Sequence, residues 1–160
     1  MDCKIRKVEK DDNLILALII RGVFEEHDAP KHGTVYSDPT TDFLFELFQK
    51  TKSILWVAEL ENKVVGCCGI YPTPGLNIVC TELVKFYLQK DARGKGIGKE
   101  LINKCIESAI EFGYSQLYLE SLPQFSKAIA LYEKAGFLRL ENPLGDSKHK
   151  TCSIWMLKEL

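Results

Sequence analysis

Three glycines alternate with other residues in the segment Arg-Gly-Lys-Gly-Ile-Gly, residues 93–98, between a strand-like and a helix-like stretch. The N-terminus of a helix presents unpaired backbone N–H groups and the positive end of the helix dipole, and both attract anions. Glycine has no Cβ, so its backbone can approach a phosphate oxygen closely. Arg93, Lys95 and Lys99 add positive charge. The segment is therefore predicted to bind phosphate groups.

Two well-known phosphate-binding loops fit this segment poorly. A P-loop requires Ser or Thr after its lysine, whereas Lys99 is followed by Glu100, and its first glycine would stand at position 93, which is arginine. A Rossmann loop starting at Gly94 requires glycine at position 99. Glu120 does lie about 20 residues further on, where a ribose-binding acid is expected. The stretch before the loop, however, has the pattern of an antiparallel meander, so a nucleotide-binding enzyme of another class is the less favoured alternative.

The composition is that of an ordinary globular chain. At 160 residues, 46% hydrophobic and 27% charged, the sequence predicts one domain over residues 1–160. The formal net charge of -1 gives no electrostatic reason to expect nucleic acid or an anionic membrane as a partner. The longest apolar run, residues 14–20, is far shorter than the roughly 20 residues that span a bilayer.

The six cysteines form no Cys-x-x-Cys pair and lie in no zinc-like spacing with a histidine, so they are predicted to be reduced and structural, with no metal site. The first four residues are polar and do not resemble a targeting signal. We expect a cytoplasmic protein that is a monomer or a homodimer.

The pattern of apolar residues gives the order strand, two helices, three strands, helix, strand, helix and two strands. This order predicts an α+β (mixed α/β) fold, in which helices flank a partly antiparallel sheet. The predicted strands are residues 3–8, 53–60, 63–71, 77–89, 116–120, 137–140 and 151–157. The predicted helices are residues 14–24, a second helix capped by Thr40 or Thr41, a third that follows the glycine loop with an apolar face from Ile97 to Ile110 and a cap at Gly113, and residues 127–135.

The pattern Arg93-x-x-Gly96-x-Gly98 at a strand-to-helix junction resembles the Gln/Arg-x-x-Gly-x-Gly/Ala signature of the GNAT superfamily of N-acetyltransferases. Upstream, residues 82–88 (Glu-Leu-Val-Lys-Phe-Tyr-Leu) are similar to the central strand of that family. Downstream, residues 128–137 are similar to its last helix and the strand that follows. The resemblance covers the whole order of elements. It implies a central, mostly antiparallel twisted sheet with a splayed central strand and about four helices.

The resemblance also implies a reaction and a donor site. The expected activity is transfer of the acetyl group of acetyl-CoA, as co-substrate, to a primary amine of a small molecule or peptide. Backbone N–H groups of the central strand would hold the pantetheine and the thioester carbonyl, and the glycine loop would hold the pyrophosphate. The residues carried over for this donor site are Phe86, Tyr87, Leu88, Arg93, Gly94, Lys95, Gly96, Ile97, Gly98 and Lys99.

Tyr132 is the predicted general acid, because it lies in the family's Leu-Tyr-Glu-Lys-x-Gly-Phe pattern, where a tyrosine points at the coenzyme sulfur. A phenol with a pKa near 10 can protonate a thiolate. Without the family, Tyr132 is an aromatic residue on the core face of an amphipathic helix. Many members also have an asparagine near the start of this helix, where the present sequence has Phe125 or Ser126.

Glu82 is the candidate general base, acting through a water molecule. A lysine-like amine must lose a proton at a cost of about 4 to 5 kcal/mol at pH 7, and an α-amine at a cost of about 1 kcal/mol. The alternative is that Glu82 pairs with a lysine or is hydrated at the strand edge.

By analogy with the family, residues 25–42 line the acceptor side, together with residues 72–75 and 142–150. The three histidines, His27, His32 and His149, have no partner visible in the sequence and are predicted to lie at the surface. The sequence does not identify the acceptor. A non-catalytic acyl-CoA-binding sensor with the same fold remains a second possibility.

Overall fold

A seven-stranded sheet forms the centre of the protein, which the computed structural model describes over residues 2–160. The strands lie in the order β1-β2-β3-β4-β5-β7-β6. All neighbours are antiparallel except β4 and β5, which are parallel. The strands are β1 Cys3–Lys7, β2 Ile54–Leu60, β3 Lys63–Tyr71, β4 Cys80–Leu88, β5 Gln116–Ser121, β6 Leu138–Arg139 and β7 Ile154–Glu159.

Helices cover both faces of the sheet. They are α1 Asn13–Glu26, α2 Leu44–Leu47, α3 Ile97–Glu111 and α4 Ser126–Lys134, with short 3-10 turns at Lys10–Asp12, Pro39–Asp42 and Lys90–Ala92. Apolar residues of α1 and α2 form one buried cluster with β2, β3 and β4. Those of α3 and α4 form a second cluster on the opposite face. None of the helices described within residues 2–160 is long and apolar enough to cross a bilayer.

The predicted fold class and the order of elements are confirmed. The hairpin between β2 and β3 turns at Glu61 and Asn62, which both have positive φ, 50° and 64°, as the two central residues of a type I′ turn require. Two details of the prediction were wrong. The second helix comprises only Leu44–Leu47, and the preceding turn is capped by Asp38, whose carboxylate accepts from the Thr40 N–H at 2.9 Å. Neither Thr40 nor Thr41 is this cap, because Asp38 precedes Pro39 at the turn's first position.

The central strand β4 is irregular in two ways. It pairs with β3 along most of its length, but with β5 only at Cys80, Thr81 and Glu82. Beyond Glu82 the two strands diverge, although β5 continues to Ser121 and pairs with β7 over the whole of its length. The register between β3 and β4 also shifts, so that an extra residue is inserted in β4, and Lys85 has a φ of 58°. The strand is therefore splayed and bulged, as the family resemblance implied.

Candidate active site

Three cavities lie in series along β4. The loop cleft lies beside the glycine loop and has a volume of about 350 Å³. The central cavity, about 60 Å³, lies where β4 and β5 diverge. The outer groove, about 300 Å³, lies on the other side. The central cavity shares Phe86, Tyr87, Phe125 and Ala128 with the loop cleft, and it shares Glu82, Val84, Lys85 and His149 with the outer groove.

The glycine loop forms the N-terminus of α3 and one end of the loop cleft. Gly96 is the N-cap of α3 and has a φ of 82°, a left-handed conformation that suits glycine. The first bond of the helix runs from the Glu100 N–H to the Gly96 carbonyl at 3.1 Å, so the N–H groups of residues 97–99 have no acceptor within the helix. A Cβ on Gly96 would meet no atom within 4 Å, whereas one on Gly98 would lie 3.1 Å from the Phe86 ring. The loop is thus open toward solvent and closely packed toward β4.

The cationic residues of the loop have different surroundings. Arg93 lines the cleft, but its guanidinium forms two bonds with the Glu26 carboxylate, at 2.6 and 3.0 Å, and a third with the Leu88 carbonyl at 3.0 Å. Arg93 therefore ties the loop to α1 and to the end of β4. Lys99 lines the cleft, whereas Lys95 does not, and the Ile97 side chain is buried in the core.

Helix α4 supplies further residues to the same cleft. Lys127, Leu131 and Lys134 line it and are spaced three or four residues apart, which places them on one face of the helix. Together with Arg93 and Lys99, these two lysines give the cleft a positively charged lining. None of the described residues that line the cleft is acidic. A polyanionic ligand fits this lining.

The three predicted thioester-binding residues, Phe86, Tyr87 and Leu88, line the loop cleft from β4. They lie beyond Glu82, so the edge of β4 that faces β5 has no strand partner there. Backbone N–H groups on that edge are free to bind a ligand in the cleft. The side chain of Phe86 packs on the α3 and α4 side of the sheet and that of Tyr87 on the α1 side.

Tyr132 projects from α4 into the central cavity. Its ring lies 5.7 Å from that of Phe86 and 6.0 Å from that of Phe137, measured between centroids. Burial raises the pKa of Tyr132 well above its usual value, and no hydrogen bond within residues 2–160 stabilises its phenolate. The hydroxyl therefore keeps its proton at neutral pH.

Glu82 is the last residue of β4 that pairs with β5, and it lines both the central cavity and the outer groove. Its side chain is 5% exposed, and Oε1 accepts a hydrogen bond from the Thr73 hydroxyl at 2.5 Å. Burial raises the pKa of Glu82 to about 7, although the Thr73 hydrogen bond acts in the opposite direction. A carboxyl group in this state can give up and take a proton near neutral pH.

The outer groove is formed by the segments predicted for the acceptor side. Its lining includes Asp38 and Thr40, the turn Pro72–Pro74, and residues 146–149 of the closing loop. The prediction that His149 lies at the surface was wrong. Its Nε2 lies 3.0 Å from an Asp38 oxygen, and its side chain is 20% exposed. Burial, and to a smaller degree Lys85, lower the pKa of His149, although Asp38 opposes this shift.

The sequence matches the model of the Acetyltransferase (GNAT) family over residues 20–137. It is 36% identical over 157 residues to YjgM, an uncharacterised N-acetyltransferase of Escherichia coli (strain K12), and this match covers 98% of the chain and 94% of the relative. The chain belongs to the GNAT acetyltransferase family. The predictions of GNAT membership and of an acyl-CoA-dependent N-acetyltransferase are thus confirmed.

Solved structures of GNAT proteins share this fold. An acetyltransferase of the GNAT family from Staphylococcus aureus Mu50 superposes with a TM-score of 0.86 at 19% identity and covers 99% of both chains. YncA from Salmonella typhimurium, solved with its cofactor acetyl-CoA, has a TM-score of 0.76 at 19% identity, with 99% of this chain and 94% of that chain covered.

Several residues that line the three cavities were not predicted from the sequence. Lys127, Leu131 and Lys134 could have been predicted, because their spacing of three and four residues places them on one face of α4. Lys85 and the pair of Asp38 and His149 gave no such signal. The lysine looks like an ordinary strand residue, and the pair is separated by 111 positions.

Proposed function

We propose that this GNAT protein transfers the acetyl group of acetyl-CoA directly to a primary amine bound in the outer groove. One observation carries the proposal: Glu82 lies where β4 and β5 diverge, and it lines both the central cavity and the groove on the acceptor side. Acetyl-CoA supplies the thioester and a thiolate leaving group. A carbon–nitrogen bond forms, the carbon–sulfur bond breaks, and one proton passes from the amine to the enzyme.

The loop cleft is the proposed site of acetyl-CoA. The N–H groups of residues 97–99 and the charged ends of Lys99, Lys127 and Lys134 would hold the phosphates. The unpaired edge of β4 at residues 86–88 would hold the pantetheine and the thioester carbonyl. The acetyl-CoA bound by YncA, which has the same fold, supports this assignment.

Glu82 is the proposed general base, acting through one water molecule. Its pKa of about 7 gives a mixture of carboxylate and carboxylic acid at neutral pH, which is close to the best compromise for a base. Of the two alternatives for Glu82, no ion pair with a lysine is present within residues 2–160, and its 5% exposure argues against simple hydration.

Tyr132 is the proposed general acid. It lines the central cavity together with Glu82 and Tyr87, and its raised pKa keeps the phenol protonated until a thiolate forms nearby. Because Tyr132 also packs against Phe86 and Phe137, its ring is held in place by the core.

The coenzyme assignment predicts selective thermal stabilisation. Acetyl-CoA at about 100 times its Kd should stabilise the fold by about 2.7 kcal/mol, which corresponds to a Tm increase of about 5 to 10 °C. NAD and ATP should leave Tm unchanged in the same scanning fluorimetry. Equal stabilisation by NAD would show that the assignment of acetyl-CoA as the coenzyme is wrong. Stabilisation by acetyl-CoA without thiol release in a broad amine screen would favour the non-catalytic sensor.

A further inference from the structure

Lys85 is a largely buried lysine that the acetyl-transfer mechanism does not use. It is 7% exposed, and within residues 2–160 its side chain forms neither an ion pair with a carboxylate nor a hydrogen bond. Burial of a lysine disfavours its charged form unless a partner compensates. The protein therefore keeps an amine without a protein partner at the junction of the central cavity and the outer groove, both of which Lys85 lines.

The bulge in β4 places this lysine in the groove. In a regular strand successive side chains point to opposite faces, so Lys85 would lie opposite Glu82 and Val84. Instead, Lys85 is the inserted residue with a φ of 58°, and it lines the same groove as those two residues. A left-handed conformation is strained for a residue that has a Cβ atom. The fold thus tolerates strain and desolvation at one residue.

The acidic groups around Lys85 have other partners. Asp38 accepts bonds from the backbone N–H and the hydroxyl of Thr40, at 2.9 and 2.7 Å, and contacts His149 at 3.0 Å. Glu82 accepts from the Thr73 hydroxyl. The exposed residues Lys50 and Lys148 add positive charge to the lining, and Asp146 adds negative charge. Among the described residues, Lys85 thus has no anionic partner of its own and is left to receive one from a ligand.

We infer that the acceptor is an amino acid, with its carboxylate bound to Lys85 and its amine directed to Glu82. The inference rests on the proposed acetyl transfer and names its substrate class. A carboxyl and an ammonium group that line one groove match the two charges of a zwitterion. The volume of about 300 Å³ is at the low end of the range for small-molecule sites. A peptide N-terminus carries no carboxylate beside its amine, so the free amino acid fits better.

The protonation of Lys85 supports this assignment. Burial lowers the pKa of Lys85, although Asp38 and Glu82 raise it. A carboxylate bound next to Lys85 favours the charged form, so binding of the amino acid should be accompanied by proton uptake. A decarboxylated amine should bind without this uptake.

Matched pairs of acceptors test the inference, each pair being an amino acid and the amine that remains when its carboxylate is removed. A hydrogen-bonded charge is worth about 1.5 to 3 kcal/mol, so kcat/KM of the wild type should be about 10- to 150-fold higher for the amino acid. In Lys85→Met the preference should disappear through a higher KM for the amino acid, with kcat/KM for the amine within threefold of wild type. Equal kcat/KM for both members in the wild type would overturn the inference. An equal loss for both members in Lys85→Met would also overturn it.

Two controls separate this role from a structural one. Lys85→Arg keeps the charge and should retain part of the preference. Lys63→Met removes an exposed lysine that lines none of the three cavities. It should change kcat/KM neither for the amino acid nor for the amine. Lys85→Met should also have a higher Tm than the wild type, since an apolar side chain replaces a largely buried polar group that has no protein partner.

Calorimetry separates failure of the inference from failure of the proposed function. With enzyme saturated by CoA, in two buffers of different ionisation enthalpy, the amino acid should bind wild type with proton uptake and should bind Lys85→Met at least tenfold more weakly. Such binding without acetyl transfer would refute the proposed function alone. Acetyl transfer with equal kcat/KM for the amino acid and its decarboxylated amine would refute the amino-acid assignment alone.

Discussion

Burial of the Glu82 carboxyl group affects both the stability of the protein and the proposed role of Glu82 as a base. Its pKa is raised from 4.5 to about 7, so the folded protein holds a proton that the unfolded chain releases. A group of this kind contributes stability below its unfolded pKa, and this contribution is lost as the pH rises through the folded pKa. Glu82 should therefore lower the stability of the protein above about pH 7, the range in which it works as a base.

Substitution Glu82→Gln should reveal both effects. The variant should gain stability relative to wild type between pH 5 and pH 8 by an amount on the order of 2 kcal/mol, measured by urea denaturation. Its kcat/KM should be at least about 100-fold lower, without the acidic limb near pH 7 that we expect for wild type. Glu111→Gln, at an exposed position on α3, serves as the control and should show neither change. A wild-type rate in Glu82→Gln would exclude Glu82 as the base.

At the scale of elements, helix α4 serves two cavities with two of its faces. Lys127, Leu131 and Lys134 face the loop cleft, while Tyr132 faces the central cavity. Tyr132 is held between β4 and the start of the next strand by contacts with Phe86 and Phe137. In the proposed mechanism, one rigid helix would therefore orient both the coenzyme and the general acid.

Removal of the Tyr132 hydroxyl tests whether the proposed acid and the coenzyme-binding side chains of α4 act separately. In Tyr132→Phe, kcat should fall about 100-fold, because the thiolate loses its proton donor. The Kd for acetyl-CoA should stay within threefold and Tm within about 2 °C, because the hydroxyl makes no hydrogen bond to the described part of the chain. Tyr114→Phe, which is also buried but lies outside all three cavities, is the matched control. An unchanged kcat in Tyr132→Phe would remove this residue from the mechanism.

The elements that follow a simple period could be predicted, and the irregular ones could not. The apolar stripe of α3 and the hairpin at Glu61 and Asn62 depend on local spacing, which the sequence displays directly. The left-handed conformation of Lys85 has no such signal, since lysine carries no preference for it. The splay of β4 was predicted only through the family resemblance. It depends on where the pairing between β4 and β5 ends, which is set by contacts between residues far apart in the sequence.

At the scale of the whole molecule, the cavities proposed for the donor and for the acceptor are separate. The loop cleft and the outer groove share no lining residue among those described. Asp38 and His149, which are 111 positions apart in the sequence, contact each other in the lining of the outer groove. The hydrogen bonds of Asp38 lower its pKa to about 2 against the effect of burial, so its carboxylate stays charged throughout the neutral range.

Loss of this contact should affect only one end of the molecule. In His149→Ala we expect KM for the acceptor to rise about tenfold, because the closing loop loses its attachment to Asp38. The Kd for acetyl-CoA, measured by calorimetry, should stay within twofold. His32→Ala, at an exposed position outside the three cavities, should match wild type. A parallel loss of acetyl-CoA affinity in His149→Ala would show that the two ends are coupled.

The divergence of β4 and β5 also has a thermodynamic consequence. Only three residue pairs, from Cys80 to Glu82 on β4, join the strands on either side of the opening. A ligand that bonds to the free edge of β4 while it contacts α4 takes the place of the strand pairing that the sheet lacks there. The free energy of binding is then also free energy of cohesion between the two parts of the sheet, and each turnover alternately strengthens and weakens the fold.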